Sequence, residues 1–491
     1  MGVFLRPLQW YDYLTINIYW IGITTLSQTV GLLFPVLIQN YVGEASQGYY
    51  LGTLRLWTLM VALLVQGVMG TLSDRSRHSW GRRRPYIFFG TTADIIVLAG
   101  LGFVAGLDGI SGFWALFIIA VLLQISSNTA QAGQQGLIPD MIPSSRQGLF
   151  SGFKALFEVP IPLIVVSFTI GKLLGQGNFW MGIFLTMSIL TVTMLLTMTL
   201  PEKRNRICIE PFQWLPYLRL VFMAAIFTTI ILIAGKFIHF IGSIGLLPNL
   251  PRGGLVFLFI ILGFLAMLSA VAAGVWSSIR IGLGKQASIE NSSFTWWVIN
   301  RLAFFVGVTN LGTFAIYFLQ TRMKYPGETA IIPGANLMLV IGISVLVSVL
   351  PAGWLADRFG KKAVVMVAGL IASTGTWVVV LASDLDLVYI GGAIIGAATG
   401  IFFASNWALG TSLVPKSEAG RYLGISNLAG AGAGAIGAYI GGPIADAFTK
   451  NTPDTPGLGY VVLFSIYGLF FLFSTLSLVK VNESPNKLEF E

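Results

Sequence analysis

Long apolar runs separated by short polar loops recur along the whole chain. Each is close to the ~20 apolar residues a helix needs to cross a bilayer. In hydrocarbon every backbone N–H and C=O must be paired internally, so runs of this length fold as helices. About fourteen are read from the sequence: 13–41, 50–73, 85–107, 112–138, 147–172, 178–200, 218–246, 252–277, 294–320, 329–355, 363–383, 387–413, 419–445 and 457–480. Of the 491 residues, 55% are hydrophobic and 10% charged, against about 25% charged in a soluble chain. The expectation is an all-α polytopic membrane protein bound to the lipid bilayer. The first run is too long for a signal-peptide core and is read as a retained span. The formal charge of +9 is assigned to loops rather than to nucleic acid. One cysteine, Cys208, excludes an internal disulfide framework, and two histidines, His78 and His239, leave no basis for a zinc site. No metal, no cofactor and no nucleophile–base arrangement is read, so an enzyme is not expected.

Loop charge orients the spans. One set of alternate loops carries Arg75, Arg77, Arg82, Arg83 and Arg84, then Arg146, then Lys203, Arg204 and Arg206, then Arg280 and Lys285, then Arg358, Lys361 and Lys362, then Lys416 and Arg421. The other set carries Glu44, Asp108, Asp384, Asp386, Asp446 and Asp454, with Arg322 and Lys324 as exceptions. The positive-inside rule puts the first set, and both termini, in the cytoplasm. The halves also repeat. Gly70-x-x-x-Asp74-Arg75, followed by Gly81-Arg82-Arg83-Arg84, ends the second span; Gly353-x-x-x-Asp357-Arg358, followed by Gly360-Lys361-Lys362, ends the corresponding span of the second half. The fourth spans exit through 139–148 and 415–424. The domains are therefore read as a six-helix bundle (1–200), a linker with an inserted helix pair (201–293) and a second six-helix bundle with a short tail (294–491).

A glycine at the end of a membrane helix permits close approach, an aspartate beyond it caps or pairs, and the arginines bind helix carbonyls or acidic lipid. The residues Gly70, Asp74, Arg75, Gly81, Arg82 and Arg83, with Gly353, Asp357, Arg358, Gly360 and Lys361, are read as paired conformational latches. This duplicated pattern resembles the signature loop of the major facilitator superfamily. Val65-Gln66 through Asp74-Arg75, then Gly81-Arg82-Arg83-Arg84-Pro85-Tyr86-Ile87, with Leu26-Ser-Gln28 and Phe34-Pro35 in the first span, resembles the sucrose–proton symporters and the glycoside–pentoside–hexuronide branch. The resemblance implies two six-helix bundles working by alternating access, with the helix pair 218–246 and 252–277 as an addition to the usual twelve spans. The membrane aspartate that these symporters often carry in the fourth span has no counterpart; Asp140 stands at that span's cytoplasmic exit.

Ionisable side chains at membrane depth are functional candidates. Glu158 lies ~16 Å into the fifth span at 1.5 Å per residue, with Lys154 one turn before it and Pro160 and Pro162 behind it to kink the helix. Glu158 and Asp94 are the proton-coupling candidates. In the proposed cycle a proton on Glu158 loosens its hold on Lys154 or Arg301; a static Lys154–Glu158 salt bridge is the competing reading. Asp94 is alternatively paired with a cation such as Arg55. Substrate-cavity candidates are Gln28, Asn128, Gln131, Lys154, Asn300, Arg301 and Asn406, with Trp20, Trp296, Trp297 and Trp407 nearby as ring platforms. Single amides among these are equally readable as interhelical hydrogen bonds.

The function expected is secondary active transport of a small polar solute such as a sugar or glycoside, coupled to a proton (or sodium), by a monomer in a plasma (bacterial inner) membrane. The alternatives are an exporter of amphipathic compounds and a non-transporting pigment-handling or assembly factor of the same fold.

Overall fold

The computed structural model describes residues 9–142, 147–200, 202, 214–243, 251–284, 291–414 and 419–482. Arg146, Lys203, Arg204, Arg206, Cys208, Lys285, Lys416 and Glu418 lie outside them, as does the side chain of Arg421. Among the described residues there is no strand.

A short helix, α1 (Trp10–Thr15), precedes α2 (Tyr19–Val42), α3 (Gln47–Asp74), α4 (Arg84–Val104) and α5 (Gly109–Met141). The fifth crossing is broken into α6 (Gln147–Glu158), α7 (Pro160–Val165), a π-helical turn (Val166–Ile170) and α8 (Gly171–Gly175). Pro160 disfavours helical backbone at the residue before it; Val159 stays in the right-handed helical region but is displaced to φ −113°, ψ −73°, where the helix breaks. The sixth crossing is α9 (Phe179–Met198). The additional pair is α10 (Trp214–Gly242) and α11 (Arg252–Leu283). The second half follows as α12 (Ser292–Thr321), α13 (Ile331–Phe359), α14 (Lys361–Val380), α15 (Leu385–Ser412), α16 (Ala419–Asn451) and α17 (Leu458–Ser477). Among the described residues, thirteen helices are long and apolar enough to span a membrane. The fourteenth long helix, α16 with 33 residues, has glycine and alanine where the others have branched side chains.

The repeat is visible in how third and fourth spans meet. A Cβ on Gly90 of α4 would strike the backbone of Ala130 and Ser126 on α5, and in the second half Gly375 of α14 and Gly391 of α15 would strike each other's carbonyls. Lipid is as apolar as the helices, so association there depends on such close backbone approach. The windows of α12 and α17 are 83% and 72% buried, against 33% for α10, so the former pair form a core and the latter exposes Phe222, Ile233, Phe237 and Phe240.

The chain forms two compact units. Unit 1 comprises 1–41, 61–218 and 328–335; unit 2 comprises 42–60, 219–327 and 336–491. They interleave the two sequence halves at one place in each: the first part of α3 belongs to unit 2, and the start of α13 with the turn before it belongs to unit 1. Within unit 1, Ala335 meets Gly171 and Ile332 meets Gly175 of α8. Within unit 2, Phe227 of α10 fills the space that Gly274 of α11 and Gly432 of α16 leave open, and Tyr439 of α16 packs on Gly235 of α10. A shallow apolar groove of about 520 Å³ runs along α10 and α11, lined by Ile230, Ile233, Phe237, Leu262, Leu265 and Ala266 among others.

Candidate functional site

The arginine loop between α3 and α4 is drawn into unit 1 by ion pairs. Gly81 turns the chain at φ +116°, and Pro85 stands in the first turn of α4, where a missing N–H leaves no gap in the ladder. The unpaired N–H groups of Arg82, Arg83 and Arg84 all donate to the carboxylate of Glu202, at 2.8, 2.8 and 3.1 Å. An anion at the positive end of a helix is favoured by both hydrogen bonding and the dipole. The Glu202 side chain occupies the place a Cβ on Gly81 would need. Arg83 is 5% exposed and spreads its guanidinium: Nε donates to Asp140 at 2.7 Å, one terminal nitrogen to Ser73 Oγ at 2.5 Å, and the other pairs with Asp74. Burial opposes its charge, but Asp140 and Asp74 outweigh burial and hold its pKa above the ordinary arginine value. Arg82 also pairs with Asp140, and Arg84 donates to the Met198 carbonyl. Gly70 faces open space, and Arg75 is half-buried.

The second copy is built differently. Gly360 makes the same kind of turn, at φ +88°, between α13 and α14. Gly353 is open, and Asp357 is exposed, with no ion pair among the described residues. Arg358 lies 5.2 Å over the Trp354 ring and 5.5 Å over Phe359. Lys361 opens α14, and Lys362 donates to the Val481 carbonyl at 2.7 Å. The counterpart of the Asp140 exit falls in 415–418, outside the described residues.

In unit 1 the end of α6 brings Lys154 and Glu158 together at 3.4 Å, with side chains 32% and 37% exposed. Lys154 Nζ also stands 4.2 Å from the Trp20 ring centre, so one cation is shared between a carboxylate and an aromatic face. Pro160 and Pro162 have no N–H to return to the last turn of α6. The buried Trp20 Nε1 has no hydrogen-bond partner. Gln28 and Gln131 are half-buried, and Asn128 donates back to Gln124 at 2.8 and 3.0 Å. Asp94 is fully buried on α4, where Ser126 and Ser127 of α5 donate to its Oδ1 at 2.5 and 2.8 Å while Oδ2 has no partner. Arg55, the cation suggested for it, is assigned to unit 2, and its Nε is likewise without a partner.

In unit 2 the first third of α12 carries a second polar set. Arg301 stands ~14 Å along its helix at 1.5 Å per residue, ringed by Trp297 at 5.7 Å, Phe305 at 4.9 Å and Trp407 at 5.3 Å. Trp297 and Phe305 flank it at i−4 and i+4, the spacing that puts side chains on one face. Gly410 makes room for the Trp297 indole, whose Nε1 donates to the Asn406 carbonyl at 3.1 Å. Arg301 donates to Asn406 Oδ1 at 3.3 Å, Asn406 donates to Asn300 Oδ1 at 2.8 Å, and Asn300 donates to Ser474 Oγ at 2.7 Å and its carbonyl at 2.9 Å. The buried Nε of Arg301 has no partner. Asn310 is engaged elsewhere, on the Ala433 carbonyl at 3.1 Å.

Two charged residues were not singled out by the sequence reading. Glu202 is one; its three donors are about 120 positions away, so no local pattern announces it. Asp446 is the other. Its charge marks it in the sequence as a loop residue after a span ending at 445, but α16 runs on to Asn451 and buries it to 5% exposure. The signal for the longer helix is Pro453, the first strong stop downstream.

Residues 298–490 match the family model "Major Facilitator Superfamily". A minor myo-inositol transporter of Bacillus subtilis (strain 168) is 32% identical over 94 residues, covering 19% of this chain and 21% of the relative. A sucrose transport protein of Oryza sativa subsp. japonica is 26% identical over 141 residues, 25% of this chain and 24% of the relative. The chain thus aligns with only about a fifth to a quarter of either relative. Among solved structures, a nucleoside transporter superposes with a TM-score of 0.63 at 13% identity, covering 96% of this chain and 99% of that one. A peptide transporter solved with sulfate gives 0.63 at 13% identity, covering 97% and 96%. At these identities the likeness is one of fold. Residues 298–490 are thus similar in sequence to the major facilitator superfamily, and nearly the whole chain is similar in fold to solved membrane transporters.

Proposed function

We propose that the chain is a secondary transporter that moves a small polar solute of the sugar, glycoside or polyol class by alternating access, coupled to a proton. The observation that carries this reading is the Arg301 set. It offers a mid-membrane guanidinium with an unpartnered Nε, aromatic faces on Trp297 and Trp407, and the Asn406–Asn300 amides. Hydroxyl-rich solutes are held by such combinations, with amide and guanidinium groups meeting hydroxyls and an aromatic face meeting the apolar side of the ring. The partial relatives named for sucrose and myo-inositol agree with that solute class. Glu158, kept half-exposed beside Lys154, supplies the proton site. When protonated it no longer holds Lys154, which is left to the Trp20 face. The loop with Arg82–Arg84 is taken as cytoplasmic and the membrane as a plasma (bacterial inner) membrane, in which the chain works as a monomer.

The test is uptake into sealed vesicles with an imposed proton gradient, across sugars, glycosides and polyols. Accumulation of at least one solute that collapses with the gradient is expected, together with loss of gradient dependence in Glu158→Gln and a raised KM in Arg301→Gln. Gradient-independent accumulation of every solute would end the proton-coupled reading; unchanged coupling in Glu158→Gln would transfer the proton to Asp94. The apolar α10–α11 groove favours a second reading, export of an amphipathic compound. Efflux of such a compound, with no sugar uptake, would select it.

A further inference from the structure

We propose that Asp446 is a proton-sensitive catch that fastens the Glu44 end of α3 to α16, so that a proton arriving from that side releases the seam. The inference rests on the alternating-access reading and adds to it a second acid-responsive group, in unit 2 where Glu158 belongs to unit 1.

The first turn of any helix leaves its N–H groups unpaired. In α3 two of these, on Gly48 and Tyr49, donate to the two carboxylate oxygens of Asp446 at 2.9 and 2.8 Å. The helices meet there by backbone. A Cβ on Gly48 would strike the Gly442 carbonyl, one on Gly442 would strike Gly48, and one on Gly52 would strike the carbonyl of Ala438. Such a seam has close contact but little side-chain interlocking, so directed polar bonds contribute a large share of its cohesion. A further bond ties the same turn of α3 to α17, from Gln47 Nε2 to the Tyr460 hydroxyl at 2.9 Å, and across the seam itself the Tyr49 side chain meets Tyr439 of α16.

The carboxylate form suits this seat: each oxygen accepts one N–H, and the negative charge faces the positive end of the α3 dipole. A neutral carboxylic acid keeps one good acceptor, and its hydroxyl oxygen accepts poorly. Protonation therefore weakens one hydrogen bond and removes the charge–dipole attraction. Once the seam is open, Asp446 lies in water on the Glu44 side and its charge is solvated, so the proton selectively weakens the closed seam. The other ionisable groups around it are Lys450 on its own helix, Tyr460 of α17 and Tyr317 of α12. Tyr49 of α3 brings His239 of α10, whose ring is 4.6 Å from its own, and Glu44 precedes α3 and acts on Tyr460. Lys450 favours the charged carboxylate, and the tyrosines stay neutral near neutral pH. His239→Gln and Glu44→Gln controls separate the contribution of those two groups from that of Asp446.

The experiment uses the full chain with Cys208→Ser, in vesicles exposing the Glu44 side. Leu51→Cys, at a fully buried position of α3, reports opening. Ala45→Cys, at an exposed position, corrects for the reagent's own pH dependence. The ratio of their labelling rates with a membrane-impermeant maleimide is measured at about pH 7.5 and about pH 5.5, a window that spans the ordinary histidine value and approaches the ordinary carboxylate values. Acidification is expected to raise the ratio about tenfold, the scale of exchanging a charge-assisted hydrogen bond for a neutral one. Asp446→Asn is expected to give a high ratio at both values, and Asp446→Glu to keep the response. A flat ratio in the parent, or an undiminished acid response in Asp446→Asn, overturns the proposal; the parent measurement needs no variant to fold. Uptake is followed in the same vesicles. Labelling that responds to acid without solute uptake sinks the transport reading and leaves the catch, whereas gradient-driven uptake with a flat ratio does the reverse.

Discussion

Arg83 is the most heavily committed side chain of the arginine loop, joined to Asp74, Ser73 and Asp140 at once. Removing its guanidinium breaks three polar contacts at once, but Asp140 keeps Arg82 and Asp74 is 56% exposed, so the cost is about 1–2 kcal/mol. Arg83→Ala should therefore lower the unfolding midpoint of the detergent-solubilised protein. Arg83→Lys should recover only part of the loss, because an ammonium lacks the planar fork that reaches several acceptors. Equal stability of Arg83→Ala and the parent would reduce the loop to a charge cluster. Much of this site was legible at the residue scale: glycine, three residues, then aspartate and arginine, and later glycine with three arginines, already named five of its participants. Glu202 was not legible, because a cap contributed from across the fold leaves no spacing in the sequence. Asp446 was misplaced for a different reason. Hydropathy falls at a charge even when the helix continues, and only tertiary contact with Gly48 and Tyr49 explains why the charge is tolerated there.

At the scale of the element, apolar length located all fourteen long helices, including the fifth, whose break at Val159 was foreseeable from Pro160 and Pro162. The ends were less legible: helix caps extend beyond the apolar run, as in α11, which continues to Leu283, and α13, which continues to Phe359. The contact between the additional pair and α16 was not legible at all, since glycines at 274 and 432 mark a close approach without naming what approaches. Phe227 is what fills both gaps, and it is 2% exposed. Phe227→Ala should destabilise the solubilised protein by about 3–4 kcal/mol, the range for deleting a buried aromatic, read as a lower unfolding midpoint. A change near zero would mean that lipid or a neighbouring side chain already fills that space.

For the whole molecule, the duplicated loop points to two related halves, and close glycine contacts join α4 to α5 and α14 to α15 in each. The division into compact units was not visible, because it cuts α3 within an uninterrupted helical pattern at Met60–Val61. The two loop copies also differ: Asp74 pairs with Arg83, whereas Asp357 is exposed. If the loops govern the transport cycle as proposed, the first should dominate. Asp74→Asn should cost less than about 1 kcal/mol of stability, since its carboxylate is 56% exposed, yet change the maximal uptake rate several-fold with little change in KM. Asp357→Asn should do much less, and equal effects from the two would assign them equal weight.

One consequence belongs to α3 alone. It has 28 residues and no proline, which at 1.5 Å per residue makes a rod ~42 Å long. Asp446 grips it at its first turn, and Arg83 grips Asp74 at its last. The two ends are held by separate sets of bonds, so a substitution that loosens one leaves the helix anchored at the other.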